Sequence, residues 1–384
     1  MLSGNLVFAV SLGYVILLFL VAFWGDKKAR TGSSALFQSP LIYTLSISVY
    51  CTSWTFYGAV GSAVRSGLEF ATIYIGPTIV FIGFWYLLRK LVRIGRVHRI
   101  TSIADLLSSR YGKGESLAVL VTLIAVIGTT PYIALQLKAV TNSFQVISGT
   151  VISDLAHPVF GDPDYTTAFW IAFGMAIFTI VFGTRNIDAN ERHHGVVAAI
   201  ALEALVKLFA LLAVGLFVVF SLADGPGEVF SWAPPDFLNT EDVFGPRWVS
   251  LTFLAATAVI CLPRQFHVMV IEDHSRRDMR LARWIFPIYL LLFCLMIAPI
   301  SIVAQETLSH FGGSADMLVV SMPLYHDEQE LAVVALLGGM SAATGMVIVA
   351  CVTLSVMVCN EWVVPLWQFL RQGHEINARW LQQV

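Results

Sequence analysis

Long apolar stretches separated by short polar connections dominate this chain of 384 residues. A membrane core of about 30 Å needs about 20 apolar residues in a helix. Stretches of sufficient length occur nine times, at 4–24, 40–62, 68–92, 117–147, 166–184, 194–222, 247–272, 282–305 and 330–369. The pattern predicts an all-α protein that crosses a membrane many times.

Two of these stretches are interrupted by polar and helix-breaking residues. Tyr50–Thr55 interrupts the second stretch and Leu262–His267 the seventh, five stretches later. Discontinuous helices in corresponding positions of two repeats indicate a binding site at the middle of the membrane. Unwound backbone is tolerated there only where protein or a water-filled cavity covers it. The pairing therefore predicts a transporter.

Composition agrees with a membrane protein, because 57% of the residues are hydrophobic, 12% are charged and the mean hydropathy is +0.76. One soluble core could not bury that much apolar surface. The net charge of −2 gives no reason to expect nucleic-acid binding. All five cysteines fall within the apolar stretches without metal-ligand spacing, so the sequence implies no disulfide framework and no metal site of this kind.

Lysine and arginine alternate between successive connections, which predicts the orientation of the chain. The basic connections are expected in the cytoplasm, with the N-terminus outside and the C-terminus inside. They lie around residues 27–30, 89–113, 185–192, 276–283 and 371–379.

Four motifs resemble the sodium/solute symporter family and, within it, the transporter-like N-terminal module of certain bacterial sensor histidine kinases. They are Thr52–Gly58, Arg99–Gly112, Leu262–His267 and Gly339–Met346. The resemblance implies a bacterial inner-membrane protein with a five-plus-five inverted-repeat fold and one extra N-terminal helix. Residues 1–30 would form that helix, 31–222 the first repeat and 223–384 an incomplete second repeat.

The resemblance also implies where a coupling ion, Na⁺ or H⁺, would bind. The carbonyl groups of Ser48 and Cys51 would face Gly338 and Ser341 on the ninth stretch. Hard cations prefer oxygen ligands. A second hydroxyl expected at position 342 is replaced by Ala342, which weakens a sodium site. The alternative is that Ser341 only forms a hydrogen bond inside a packed bundle.

Three charged residues within the apolar stretches are candidates for coupling or gating. Glu203 and Lys207 are four residues apart, so they share a helix face and can pair. Charges at such depth are costly and point to function, although a purely structural ion pair is the alternative. Arg264 follows the second interruption and is expected to serve as a gate or a structural contact; the alternative is a two-bond contact with a substrate carboxylate.

Candidate contacts to the solute come from polar and aromatic residues near the interruptions. Aromatic walls with a few convergent polar groups are typical of small-molecule sites. Aromatic residues of this kind can equally serve as packing or membrane-interface residues. The candidates are Ser53, Trp54, Tyr57, Gln136 and Phe253.

The motifs favour a module that senses or transports a small nutrient, with an amino acid such as histidine as the implied solute. It would be the input part of a sensor histidine kinase in two-component signalling, with membrane lipid, an attached kinase and a response regulator as partners. The alternative is an autonomous sodium- or proton-coupled symporter. The chain itself shows no nucleophile–base pair, metal-ligand set or phosphate loop, so no catalytic residue is predicted, although the family suggests a kinase in a longer parent protein.

Overall fold

A computed structural model describes most of the chain as α-helix. The described residues are 4–30, 39–148, 172–174, 176–177, 180, 194–235, 237, 243–272, 276–307 and 314–371. The predicted fifth stretch at 166–184 lies, apart from a few residues, outside them. Fourteen helices of the described part are labelled here, namely α1 (Gly4–Arg30), α2 (Pro40–Ser46), α3 (Ala59–Ser66), α4 (Thr72–Ile82), α5 (Trp85–His98), α6 (Ile103–Arg110), α7 (Glu115–Ser148), α8 (His194–Phe217), α9 (Pro226–Ser231), α10 (Pro246–Cys261), α11 (Pro263–Phe266), α12 (Arg276–Thr307), α13 (Leu318–Tyr325) and α14 (Gln329–Val358).

Five helices are individually long and apolar enough to cross a membrane within the described residues, and two pairs bent at a short break raise this number to seven. The five individually long helices are α1, α7, α8, α12 and α14. Their bounds agree closely with the predicted stretches; for example, α7 covers Glu115–Ser148 where 117–147 was expected.

The first predicted interruption is a break in the helix. After α2 the chain tightens into a 3₁₀ turn over Ile47–Tyr50, and Cys51 then becomes extended with φ −77° and ψ 98°. A wider turn at Trp54–Gly58 leads into α3. The hydroxyl of Tyr74 on α4 donates a 2.8 Å hydrogen bond to the carbonyl of Thr55, which gives one carbonyl near the break a partner in the protein.

The second predicted interruption is also a break, between α10 and α11, whose axes differ in direction by 54°. Leu262 is extended, with ψ 127°, because the following proline disfavours helical backbone at this position. Pro263 then occupies the first turn of α11, where a helix tolerates a missing N–H.

Hydrogen bonds join the two broken helices on one side of their breaks. The Tyr43 hydroxyl donates to the carbonyl of Met269 at 2.7 Å, and Nε2 of Gln265 donates to the carbonyl of Ile47 at 3.2 Å. All four residues are buried. The passage between the broken helices is therefore closed on this side.

Helix α14 packs closely on its neighbours through small residues. A Cβ atom at Gly338 would collide with Ala210 and Phe56, and one at Gly339 would collide with the ring of Tyr57. Small residues allow such close approach between membrane helices. This contact brings α14 against the first broken helix and α8, where the candidate ion site was expected.

Candidate functional site

A cavity of about 600 Å³ lies beside the two helix breaks. Its wall includes Tyr50 and Leu262 at the breaks, Tyr132 on α7 and Arg264 on α11. The other lining residues come from α3, α4, α7, α10 and the turns beside them, and are Trp54, Thr55, Ser62, Arg65, Ser66, Glu69, Phe70, Thr72, Ile73, Gly128, Thr129, Arg247, Leu251, Leu254, Ala255 and Ala258. A volume of this size suits a small molecule.

Two ion pairs involve residues of the cavity wall. The guanidinium of Arg247 forms two bonds to the carboxylate of Glu69, one of them 3.0 Å from Nη2 to Oε1. Arg65 pairs with Asp316 at 3.2 Å. The side chains of Arg65 and Arg247 are largely exposed and that of Asp316 is partly exposed, so these pairs lie at the mouth of the cavity.

Arg264 is the buried positive charge of the cavity wall, with 5% of its surface exposed. Its guanidinium carbon lies 4.9 Å from the centre of the Tyr132 ring, a cation–π contact. Its Nε atom is buried without a hydrogen-bond partner. No carboxylate among the described residues pairs with it; the nearby Glu272 lies beside His267 at 3.5 Å. The site therefore presents a positive charge that has no carboxylate partner in the described part of the chain.

The five predicted solute contacts occupy four kinds of position. Trp54 lines the cavity. Ser53 and Gln136 bind each other, since the Gln136 side-chain oxygen accepts from the Ser53 N–H and hydroxyl. Tyr57 is buried, and its hydroxyl donates to the carbonyl of Ala335. Phe253 is 66% exposed on α10 and lies outside the cavity lining, so the structure brings only Trp54 of the five to the cavity wall.

The carbonyls expected to hold a coupling ion have a different partner. Nζ of Lys207 donates hydrogen bonds of 2.7 Å to the carbonyls of Ser48 and of Cys51. The lysine is 2% exposed. The ammonium group, tethered to α8, therefore occupies the position beside the break at which the resemblance placed a free cation.

The side-chain pairing expected between Glu203 and Lys207 is not formed. Oε1 of Glu203 accepts a short hydrogen bond from the hydroxyl of Thr344, whereas Oε2 is buried without a hydrogen-bond partner. Within the described residues, no direct ion pair joins Glu203 to Lys207. The expectation failed because four-residue spacing places two side chains on one face but does not prevent backbone carbonyls from competing for the lysine.

Ser341 links α14 to α8 and α1. Its hydroxyl donates to the main-chain oxygen of Glu203 at 2.8 Å. Since the single hydroxyl hydrogen is used there, the Tyr14 hydroxyl donates the 2.8 Å bond to Ser341 Oγ. Ala342 is buried and provides no hydroxyl, and Gly338 packs against Ala210.

Sequence reasoning missed the charged residues at the cavity mouth. Arg65 and Arg247 are isolated bases in otherwise acidic connections. The available signal was an isolated base, Arg247, in one connection and an acidic residue, Glu69, in another. That combination could have predicted an ion pair between the two connections.

The curated proteins that are similar in sequence to this chain include two symporters. No family model matches the chain. The uncharacterized symporter YhjB of Bacillus subtilis (strain 168) is 24% identical over 298 residues, which cover 75% of this chain and 56% of YhjB. The uncharacterized symporter YodF of the same organism is 30% identical over 128 residues, 32% of this chain and 25% of YodF. The chain thus spans about half the length of YhjB, and its match spans a quarter of YodF.

Among solved structures, the chain resembles a Na⁺-coupled sialic acid symporter in a substrate-bound outward-open state. The TM-score is 0.62 at 15% identity, with 93% of this chain and 74% of that chain covered. The predicted all-α, inverted-repeat symporter fold is confirmed. The chain is a multi-pass membrane protein that resembles sodium/solute symporters in sequence and fold.

Proposed function

We propose that this chain forms the translocation part of a cation-coupled symporter for small solutes that carry a carboxylate. The solute binds in the cavity beside the two helix breaks, with its carboxylate on Arg264. The observation that carries this proposal is the buried guanidinium in the cavity wall without a protein carboxylate among the described residues.

Chemistry supports an anionic group at this position. Burying a charge without a partner is costly, and an arginine can hold a carboxylate through two parallel hydrogen bonds. The guanidinium carbon lies over the Tyr132 ring, and its buried Nε has no hydrogen-bond partner, so an N–H of the group is open to such a ligand. Thr129 and Trp54 supply further polar and aromatic surface for the rest of the solute.

Symport is the transport mode that agrees with the comparisons, since both bacterial relatives are called symporters. The sensor-kinase role, its response regulator and histidine as the solute stay predictions from the motifs, with no support among these relatives. An amino acid is a member of the proposed solute class, since it has the required carboxylate.

The test is binding of a labelled amino-acid panel, histidine included, to the purified chain in detergent. Each amino acid is compared with its methyl ester, which lacks the negative charge. We expect at least one acid to bind saturably and its ester not to bind. Arg264→Gln should weaken binding of that acid by about tenfold or more, because a hydrogen bond to a charged group contributes about 1.5–3 kcal/mol and each tenfold change in affinity is about 1.4 kcal/mol.

Arg65→Gln is the matched control, because Arg65 also lines the cavity but already pairs with Asp316. It should leave the affinity within a few fold of the unchanged protein. Equal binding of acid and ester, or unchanged affinity in Arg264→Gln, would refute the assignment of the carboxylate to Arg264.

A further inference from the structure

The environment of Lys207 is that of a coupling cation. Its ammonium lies beside the break of the first broken helix and donates 2.7 Å hydrogen bonds to the carbonyls of Ser48 and Cys51. Cys51 is the residue at which the backbone leaves the helix, so its carbonyl is no longer used in a regular helical bond. A lysine ammonium is a compact point charge and can satisfy such carbonyls as a metal ion would.

Titratable groups and hydroxyls near Lys207 come from its own helix and from elements that pack on it. The titratable ones are Glu203 on its own helix α8, Cys51 at the break, Tyr14 on α1 and Tyr289 on α12. The Tyr289 hydroxyl donates to the carbonyl of Ala204, so it is directed toward α8. From α14 come the hydroxyls of Ser341 and Thr344, and both are used by Glu203.

This arrangement leaves little for a free Na⁺. The two carbonyls are bonded to Lys207, the Ser341 hydroxyl is occupied by Glu203 and Tyr14, and position 342 has no oxygen in its side chain. Na⁺ would have to displace the ammonium from both carbonyls, against like-charge repulsion. One charge, not two, fits between the break and α8.

We propose that the coupling ion of this protein is a proton carried by Lys207, and that Na⁺ is not used. This inference rests on the proposed symport. With its proton, Nζ bonds both carbonyls and holds the first broken helix against α8. When the proton leaves as H⁺ to water on the far side, the neutral amine no longer holds the two carbonyls as an ammonium, and the helix can move; a proton taken from the first side restores the contact.

The Glu203 carboxylate has a positioning role in this scheme. It lies one helical turn from Lys207, and its second oxygen is buried without a hydrogen bond. A negative charge at that distance favours the protonated lysine without blocking its bonds to the carbonyls. The contact between Glu203 and Thr344 also fixes α14 relative to the same turn of α8.

The first measurement is binding of radiolabelled Na⁺ to the purified full chain. We expect no saturable binding to the unchanged protein. Saturable Na⁺ binding that is lost in Ser341→Ala would overturn the proposal. Neither this test nor the next needs a solute, so a chain that passes both and binds no carboxylate would refute the proposed function alone.

The second measurement follows the opening of the cavity as a function of pH. A reporter cysteine, Ser62→Cys, is placed in the cavity wall of a chain whose exposed Cys261 and Cys359 are replaced by serine. Its labelling by a membrane-impermeant maleimide is compared between Lys207 and Lys207→Arg chains, because arginine keeps its charge at every pH. The pH dependence of the thiol itself cancels in the ratio of the two rates.

We expect this ratio to change by several fold between acidic and alkaline pH, because only lysine can lose its proton. A ratio that stays constant across the range would overturn the proposal. The labelling rate of a chain without the Ser62→Cys change is subtracted, so that labelling of the remaining cysteines does not count.

Discussion

The Gln136 side-chain oxygen accepts two hydrogen bonds from Ser53, one from its main-chain N–H at 3.0 Å and one from its hydroxyl at 2.8 Å. Ser53 follows the extended residue of the first broken helix by two positions. Helix α7 thereby supplies an acceptor to backbone that the helix itself does not satisfy. The pair holds the break in place against α7.

Replacing Gln136 by leucine should destabilise the protein by about 1–3 kcal/mol, because a buried N–H loses its acceptor. Ser53→Ala is the matched control, since it removes the hydroxyl but leaves the N–H bonded, and should cost about 0.5–1.5 kcal/mol. Thermal unfolding in detergent measures both. If Ser53→Ala were the more damaging of the two, the N–H would not be the critical donor.

The Tyr43 hydroxyl joins the two broken helices through the carbonyl of Met269, whereas the Tyr50 hydroxyl, on the same first broken helix, donates to the carbonyl of Ile73 on α4 at 2.8 Å. Tyr43→Phe should favour opening of the closed side by about 1 kcal/mol, about a fivefold change in population. Tyr50→Phe removes a hydroxyl from the same broken helix but should not open that side.

Labelling of Cys51, which is buried at the break, reports this opening. A membrane-impermeant maleimide is applied to right-side-out and to inverted vesicles. Tyr43→Phe should raise labelling only from the side opposite to that at which Ser62→Cys reacts. Equal labelling of Cys51 in the two phenylalanine variants would contradict the assigned closure.

Gly339 is expected to tolerate no side chain. Its Cβ would collide with the ring of Tyr57, which is itself fully buried. Gly339→Ala should cost about 1–3 kcal/mol in thermal stability through overpacking. Gly13→Ala in α1 is the control, because nothing lies within 4 Å of its Cβ position; it should be neutral or stabilising by up to about 1 kcal/mol. Equal losses would show that loss of glycine, not the collision, is responsible.

The Arg247 and Glu69 pair should restrict access to the cavity. Arg247→Ala is expected to raise the maleimide labelling rate of a cysteine at Thr129 by several fold, with little effect on stability because the pair is at the surface. The double exchange Arg247→Glu with Glu69→Arg should restore the slow rate. High salt should speed labelling in the unchanged protein, since exposed charges are screened. A double exchange that labels as fast as Arg247→Ala would argue against the ion pair.

The breaks and the long helices could be predicted because their causes are local. Pro263 acts on its own turn and on Leu262, and apolar length is read directly from the chain. The partner of Lys207 could not be predicted this way, since Cys51 lies 156 positions away. Helical spacing suggested Glu203 as the partner of Lys207. Glu203 is close to Lys207 in sequence, but Lys207 bonds the carbonyls of Ser48 and Cys51 instead.

The prediction that Phe253 lies at the solute cavity was wrong for a different reason. The cavity residues of α10 are Arg247, Leu251, Leu254, Ala255 and Ala258, which follow helical spacing along one face. Phe253 is on another face and is exposed. Its aromatic character suggested a binding residue, whereas helical spacing places it on a different face from Leu254, which lines the cavity. Helical periodicity was therefore a better guide than residue type on this helix.

In the proposed cycle the proton of Lys207 is released on the far side, and the side chain, attached to α8, returns with the protein as a neutral amine. With the lysine proton as the coupling ion, the current carried per turnover depends on the solute alone. A monoanionic carboxylate and one proton together move no net charge, so the membrane voltage, equivalent to about 2.3 kcal/mol per charge per 100 mV, would not drive its uptake. A zwitterionic amino acid would instead produce one inward charge per molecule, and the same protein would be silent with one solute and electrically active with the other.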